Sequence, residues 1–175
     1  MSQQQIKDPN SMRKISISKV VINIGVGKSG EPIEKAKRAL QELTGQRPSV
    51  RGARETVRDF GIHKGEPIGA MVTLRRQQAL DFLKRVIAAK NNVLKFSSFD
   101  NYGNISVGIH EHIDIPGTKY NPEIGIFGMD VSLSLTRPGY RIAKKRYSRK
   151  IGKAHRITKD EAIKYFQQQF GVEIA

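Results

Sequence analysis

The sequence predicts an α+β fold in which an antiparallel or mixed β-sheet carries its helices on one face. Several segments alternate apolar and polar residues with a period of two, which is typical of strands that bury one face and expose the other. Other segments repeat their apolar residues at helical spacing. Several predicted strands also follow one another directly, which disfavours a parallel sheet built from strand–helix–strand repeats.

Length and composition suit a single folded domain. The chain has 175 residues, within the common range for one domain. Residues 1–14 are mostly polar and predict a flexible lead-in, so the domain is assigned to 15–175. Cysteine is absent, which excludes disulfide bonds and thiolate zinc sites. There is no signal-like leader and no apolar run that could span a bilayer, so we expect a soluble, cytoplasmic protein without a membrane partner.

The first strand is predicted within residues 18–27, where Val20, Ile22 and Ile24 would face the helices. A helix follows, with Pro32 suited to its first turn and Gly45 placed to end it. The apolar residues that share one face of this helix are Ile33, Ala36, Leu40 and Leu43.

Residues 46–69 are rich in arginine, glycine and proline, which predicts short strands around a loop with residues 61–69 at its tip. The next strand alternates Ile68, Ala70, Val72 and Leu74 with more polar neighbours up to Arg75. An amphipathic helix is predicted from residue 77 to about residue 90, with an apolar face formed by Leu80, Leu83, Val86 and Ile87.

The last third of the chain predicts two strands and a helix. Turn signals within 97–122 flank a strand at 104–110, and a long strand is predicted from about Ile126 to Thr136. The final helix, 158–170, has a capping box between Thr158 and Glu161 and a glycine at position 171 to end it. Ile157 and Ala162 are spaced for a hydrophobic staple across its start.

The charge of the chain predicts a polyanionic partner. There are 31 lysines and arginines against 16 acids, a net charge of +15. Nine of the twenty residues in the basic loop 137–156 are cations, and Tyr140 and Tyr147 lie among them. Tyrosines between cations suit stacking on bases or sugars, so we expect this loop to be mobile alone and ordered by RNA. A solvated linker is the alternative.

The glycine-rich turn 25–30 could suggest an enzyme that binds a nucleotide. The turn lies between a strand and a helix and fits the spacing of G-x-G-x-x-G. A phosphate-binding loop would need glycine at position 22, which is isoleucine. A dinucleotide site would need an acid about twenty residues further on, and residues 43–54 contain no aspartate or glutamate. We therefore interpret the turn as one whose glycines let its backbone approach another backbone, of the protein or of RNA.

No constellation of residues predicts catalysis, a cofactor or a metal. On a strand, His110 and His112 would share one face, but no third ligand is near in sequence, so surface histidines are expected. No serine–histidine–acid set or carboxylate pair stands out either. A non-enzymatic RNA-binding protein is the main hypothesis. An enzyme that uses the glycine turn and a free RNA chaperone are the alternatives.

A row of polar side chains is predicted on the open face of the sheet. If the two strands that carry Asn23 and Thr73 are neighbours, both side chains and that of Arg75 lie on one face. An amide, a hydroxyl and a guanidinium in one row can bind 2′-hydroxyls, phosphates and base edges.

Five segments, in order, carry a family resemblance: VVINIGVG, TGQRP, FGIHKGEPIGAMVTLR, FDNYGNISVGI and GMDVSLSLT. The chain resembles the universal ribosomal protein L-five family, whose eukaryotic counterpart is called L-eleven, from about Ile15 nearly to its end. The basic loop and the helix after it resemble the archaeal and eukaryotic branch. The family's fold is itself similar to the RRM or ferredoxin-like arrangement. The turn reads FDNYGN where bacterial members have FDGRGN, so arginine contacts of that turn are not carried over.

The resemblance implies a structural constituent of the large ribosomal subunit, with no enzymatic activity and no cofactor. Family members bind 5S ribosomal RNA and help to attach it to the central protuberance. The positions that match the family's 5S RNA contacts are Asn23, Gln46, Thr73 and Arg75.

Further partners follow from the same resemblance. The loop 60–69, with His63, Lys64 and Gly65, is expected to approach the peptidyl-site transfer RNA. Residues 108–126 are expected to join a bridge to the small-subunit head protein S-thirteen, and other proteins of the central protuberance are expected neighbours. Additional contacts to large-subunit RNA are expected from Arg47, Arg51, Arg54, Arg58, Arg141, Lys144, Lys145, Arg146, Arg149, Lys150, Lys153 and Arg156.

Overall fold

The computed structural model describes residues 10–175. Most of the predicted lead-in 1–14 therefore lies outside the described residues. In the remaining part, Ser11–Arg13 forms one 3₁₀ turn, and the Met12 N–H donates to Asn10 Oδ1 at 2.9 Å.

The predicted α+β class is confirmed. The helices are α1 (Glu31–Thr44), α2 (Arg76–Ala89) and α3 (Lys159–Phe170). The strands are β1 (Ser16–Gly25), β2 (Ser49–Gly52), β3 (Pro67–Leu74), β4 (Val93–Leu94), β5 (Asn104–Ile109), β6 (Met129–Thr136) and β7 (Glu173–Ile174).

Five strands form one sheet in the order β2-β3-β1-β6-β5, and every pairing in it is antiparallel. β1 and β2 are both antiparallel to β3, so they are parallel to each other with β3 between them and α1 as their connection. β3 and β6 are related in the same way through β1, with α2 between them in the chain. Apart from the edge strand β5, these two interlocked units give the ferredoxin-like arrangement that the family resemblance implied.

The hydrophobic core lies between the sheet and the helices, on one face of the sheet. Val20, Ile22 and Ile24 of β1 are buried, as the alternation predicted. β3, β5 and β6 add buried residues on the same face, and the apolar sides of α1, α2 and α3 cover them. The other face is left to polar and half-buried side chains, which is the half-open sheet that was predicted.

Local signals at the helix ends are confirmed. Pro32 lies in the first turn of α1, and Gly45 ends it in the left-handed conformation with φ of 69°. The capping box at the start of α3 is formed in both directions between Thr158 and Glu161. Ile157 and Ala162 are both fully buried, consistent with the predicted staple.

The tip of the β2–β3 hairpin differs from the prediction. A bridge joins Val57 to Ile62, so the chain reverses at 58–61 rather than across 61–69. β3 begins at Pro67, one residue before the predicted start of the strand at Ile68, so residues 67–69 belong to the strand and not to the loop tip. Gly69 has a packing reason there, since a Cβ on it would lie 2.9 Å from the backbone oxygen of Ile24 on the neighbouring strand.

Two other boundaries also differ. β6 begins at Met129, three residues after the predicted start, and Ile126 is exposed. The parallel pair β4–β7 was not predicted. Two residues per strand are too short to show a period, and they pair only because the end of the chain returns beside α2.

Candidate RNA interface

The predicted polar row lies on the open face of the sheet. β1 and β3 are neighbours, with Asn23 opposite Met71 and Val21 opposite Thr73. Asn23 and Thr73 therefore occupy diagonal positions on the same face, where side chains of two strands come within reach of a common ligand. Both are partly accessible rather than buried.

Gln46 and Arg75 lie at the end of this row, where β3 meets α2. Arg75 is exposed and directly follows β3 as the residue that precedes the first turn of α2. The Gln46 Nε2 donates to Gln78 Oε1, at 2.5 Å, in that first turn. Gln46, Thr73 and Arg75 therefore surround one corner of the sheet, although Gln46 is far from the others in sequence.

The N-terminus of α2 makes this corner electropositive. No side chain caps it, and its first turn contains no acid. Its first residue, Arg76, has a positive φ of 53°, a conformation that non-glycine residues seldom adopt. The uncapped N–H groups and the two consecutive arginines create a local environment that favours an anion.

β5 and β6 provide a further part of the open face, which the sequence did not assign to RNA binding. Ser132 lies opposite both Val21 and Ser106, and the two serine hydroxyls are 3.4 Å apart. Ser134 lies opposite Asn104 and Lys19 in the same way. The alternation of β6 places Ser132 and Ser134 on its polar side, but uncharged serines gave no separate signal for RNA binding.

Positive charge is widely available on the rest of the surface. Within residues 10–175 the ion pairs are Lys35–Glu31, Lys37–Glu34 and Arg137–Glu161. No other lysine or arginine of the described chain is neutralised by an ion pair. The arginines and the lysine predicted to contact RNA in and before the β2–β3 hairpin are all exposed: Arg47, Arg51, Arg54, Arg58 and Lys64.

The basic loop 137–156 consists of an exposed tip and an anchored base. Residues 141–150 are all exposed, and the Arg149 N–H donates to the Ile142 oxygen at 3.1 Å, so the tip folds back on itself. Within it, the Arg146 guanidinium carbon lies 5.8 Å from the centre of the Tyr147 ring, which is 83% exposed. An exposed aromatic ring beside a cation is a stacking surface for nucleic acid.

The base of the loop is built into the domain, which the prediction of one RNA-ordered segment did not anticipate. Arg137 is buried, and its Nη2 donates to Glu161 Oε1 at 2.8 Å. Its Nη1 donates to the backbone oxygens of His155 and Arg156 at 3.3 and 3.4 Å. The Tyr140 hydroxyl accepts from the Ile157 N–H at 2.8 Å. These contacts tie both ends of the loop to the start of α3.

The charge on Glu161 should stabilise this base. Burial raises the pKa of the Glu161 carboxyl, but hydrogen bonds from Arg137 and from the Thr158 N–H outweigh it and hold the pKa below its usual value of 4.5. Glu161→Gln keeps the shape and removes the charge opposite buried Arg137. Because the Glu161 side chain is 40% exposed, screening limits the expected loss to about 2 kcal/mol in the free energy of unfolding.

The lowered pKa of Glu161 also predicts how this loss of stability depends on pH. A depressed folded-state pKa means that the ionised carboxylate stabilises fully above pH 4.5, and that this contribution is lost as the pH falls through the folded-state value. Denaturant unfolding should therefore show the difference between parent and Glu161→Gln at pH 7 and a smaller one below pH 4. Asp160→Asn, in the same helical turn but outside any ion pair, is the control. An equal loss for both variants would contradict the ion-pair contribution.

The glycine-rich turn 25–30 uses its own N–H groups within the protein. The N–H groups of Val26 and Gly27 both donate to the Ile68 oxygen at 2.9 Å. The Ser29 hydroxyl donates to Glu66 Oε1 at 2.6 Å, so this hydroxyl also has its partner within the protein. The turn therefore joins backbone to backbone, as interpreted from the sequence.

The histidine pair differs from the expectation. His110 is exposed, but His112 is buried in a 3₁₀ turn after β5, and its Nδ1 accepts from the Phe127 N–H at 3.3 Å. The two do not share a strand face, because β5 ends at Ile109.

In the described part of the chain, no group of three or more histidine, aspartate or glutamate side chains could hold a metal ion. No helix there is long and apolar enough to cross a membrane.

Comparison with known proteins extends over almost the whole chain. The family model described as "Ribosomal protein L5" matches residues 10–63, and the model for the C-terminus of the same ribosomal family matches residues 67–165. The chain is 55% identical over 175 residues to the "Large ribosomal subunit protein uL5" of Sulfolobus acidocaldarius, covering 99% of this chain and 98% of that protein. It is 53% identical over 165 residues to the protein of the same name from Nitrosopumilus maritimus, covering 94% and 95%.

Proposed function

Since the chain belongs to the ribosomal protein L5 family and is a structural, non-enzymatic constituent of the large ribosomal subunit, we propose that it binds 5S ribosomal RNA and helps to attach it to the central protuberance. The observation that carries this proposal is the polar corner where β3 meets α2. There, Gln46, Thr73 and Arg75 surround the uncapped end of α2.

The chemistry of this corner fits a structured RNA. Arginine and free N–H groups at a helix N-terminus bind phosphate oxygens, while amide and hydroxyl groups bind 2′-hydroxyls and base edges. Asn23, further along the open face, extends the same surface toward Ser132 and Asp130. Recognition by shape and 2′-hydroxyls needs such a broad, polar and rigid surface, and a five-stranded sheet provides one.

Arg75→Ala should weaken binding to 5S ribosomal RNA by at least about tenfold, since a hydrogen bond to a charged partner contributes about 1.5–3 kcal/mol. The melting temperature should stay close to that of the parent, because Arg75 is exposed. Filter binding or electrophoretic mobility shift at fixed salt measures the change. Arg38→Ala, an exposed cation on α1 outside the corner, is the control and should bind nearly as the parent does. An unchanged affinity for Arg75→Ala would remove this residue from the interface.

We propose that the β2–β3 hairpin approaches the peptidyl-site transfer RNA with His63, Lys64 and Gly65. All three are exposed, and their backbone is held in place. The His63 N–H donates to Glu66 Oε2 at 2.9 Å, and the Lys64 N–H donates to Thr56 Oγ1 at 3.0 Å. A preorganised loop with a lysine at its surface suits contact with an RNA backbone.

We propose that the exposed tip of the basic loop contacts large-subunit RNA.

We propose that residues 108–126 form the bridge to S-thirteen. This segment is mostly exposed, and its Tyr120 and Ile126 side chains are 58% and 54% exposed. Exposed apolar side chains on a loop support contact with protein rather than RNA.

Sedimentation of the tagged chain with large subunits in a sucrose gradient tests its incorporation. Particles that assemble without the chain would contradict a structural role.

A further inference from the structure

A pocket of about 600 Å³ lies where the open face of the sheet meets the basic loop. We call it the joint pocket. One wall comes from the sheet, with Lys19, Asn104 and Ser134, and the other from the loop, with Tyr140 and Lys144. Its volume is in the range of pockets that hold small ligands. It is separate from the corner formed by Gln46, Thr73 and Arg75, none of which lines it.

The charge of the joint pocket selects an anion. Three cations line it, Lys19, Lys144 and Arg156, and no acid does. The Arg156 Nε donates to the Ile151 oxygen at 3.1 Å, which fixes that guanidinium against the wall. Lys19 and Lys144 take part in no ion pair, so their charge remains available to a ligand.

An exposed aromatic ring lines the pocket from a turn whose backbone is fixed. Tyr102 is 66% exposed and lies in a turn that Asp100 fixes. Asp100 Oδ1 accepts from the N–H groups of Tyr102 and Asn104 at 2.8 and 2.7 Å, and Gly103 has a φ of 76°. An exposed ring on a fixed backbone can stack on a base without the cost of ordering that backbone.

The walls also supply hydrogen-bonding groups and apolar contacts. The Asn104 Nδ2 donates to Asp100 Oδ2 at 2.7 Å, which fixes the amide and leaves its oxygen as an acceptor. The hydroxyl of Ser134 lines the pocket nearby, and Ile151 and Ile157 form an apolar wall. Cations, a stacking ring, hydroxyls and an apolar wall together match a phosphate, a base and a ribose.

We propose that the joint pocket binds one unstacked nucleotide of an RNA strand, with the base on Tyr102 and the flanking phosphates on Lys19 and Lys144. This proposal rests on the proposed RNA-binding function and adds a site for single-stranded nucleotides to it. A duplex keeps its bases paired and stacked, so it would satisfy the cations and leave Tyr102 without a base. The site therefore distinguishes unpaired from paired RNA.

The chain contains no tryptophan, so Tyr102→Trp introduces a single reporter at the pocket mouth. Tyr120→Trp, at a tyrosine that is 58% exposed and outside the pocket, is the matched control. The probes are a single-stranded oligoadenylate, an abasic ribose-phosphate strand of equal length, and the oligoadenylate paired with oligouridylate. We expect saturable quenching only of the Tyr102→Trp variant and only by the single strand with bases. Quenching by the abasic strand, or equal quenching of both variants, would overturn the proposal.

A second measurement compares how tightly the parent and Tyr102→Ala bind the oligoadenylate and the abasic strand. Tyr102→Ala should weaken binding of the oligoadenylate at least about fivefold and leave the abasic strand unaffected, because a stacked base contributes roughly 1–3 kcal/mol. The parent and Tyr102→Ala are also titrated with 5S ribosomal RNA. Normal 5S RNA binding without a Tyr102 effect on the oligoadenylate refutes the pocket alone, whereas absence of 5S RNA binding by the unmodified chain refutes the proposed function.

Discussion

Replacing Lys144, Lys145, Arg146 and Arg149 together by alanine should reduce the slope of log affinity against log salt by about 3, since each neutralised phosphate contributes roughly 0.7–0.9 to that slope. All four side chains lie on the exposed tip of the basic loop. None of them takes part in an ion pair, so the tip offers its full charge to RNA. The measurement is a salt titration on large-subunit ribosomal RNA that contains the full binding site.

The control must lose the same charge elsewhere. Arg38, Lys84, Lys95 and Lys164 are exposed, outside any ion pair, and carried on or near the helices rather than the basic loop. Their joint replacement by alanine should leave the slope almost unchanged. In the free protein, proteases that cut after lysine or arginine should cleave within 141–150 first, and RNA should protect those sites. Equal slopes for the loop variant and the parent would support a solvated linker instead.

Ile22→Ala should destabilise the fold by about 2–5 kcal/mol, because it removes a fully buried side chain from the central strand and leaves a cavity. For a chain of this length the melting temperature should fall by roughly 10 °C. The affinity of the folded variant for 5S ribosomal RNA should change little, since Ile22 faces the helices. Thermal unfolding followed by circular dichroism measures the first effect, and binding well below the melting temperature measures the second.

Asn23→Ala, one residue further along β1, should have the opposite profile. Asn23 lies on the open face, so its loss should lower RNA affinity and leave the melting temperature within a few degrees of the parent, as expected for surface substitutions. The two neighbours thus test the alternation of the strand directly. A large stability loss for Asn23→Ala with normal RNA binding would contradict the assignment of the open face.

Local patterns explain why much of this fold could be predicted from the sequence. The alternation of β1, β3 and β6 depends only on the two-residue period of a strand, and buried Val20, Val72 and Leu133 follow it. The capping box of α3 and the left-handed glycines at 45 and 171 act within a single turn of chain. Such signals need no knowledge of what packs against them.

Features that depend on distant contacts were missed or only partly predicted. Residues 68 and 69 fit both the loop tip and the following strand in the sequence, because the reason for Gly69, the close backbone of β1, lies far earlier in the chain. His112 was expected on the surface, because the Phe127 N–H that donates to its buried ring comes from a later segment of the chain. In the sequence, Arg137 is indistinguishable from the other cations of the basic loop. In the structure it is buried at the start of α3, where it donates to Glu161 and to two backbone oxygens.

The sequence alone therefore determined the α+β class, the inward face of each long strand, the helix ends and the polyanionic partner, because composition and short-range periodicity carry that information. Tertiary structure decided where Gln46 meets the end of β3, how the basic loop divides into an anchored base and an exposed tip, and where the joint pocket forms. Each of these depends on which distant segments become neighbours. The packing of the whole core against the sheet decides which segments become neighbours, so these contacts cannot be predicted from any single segment.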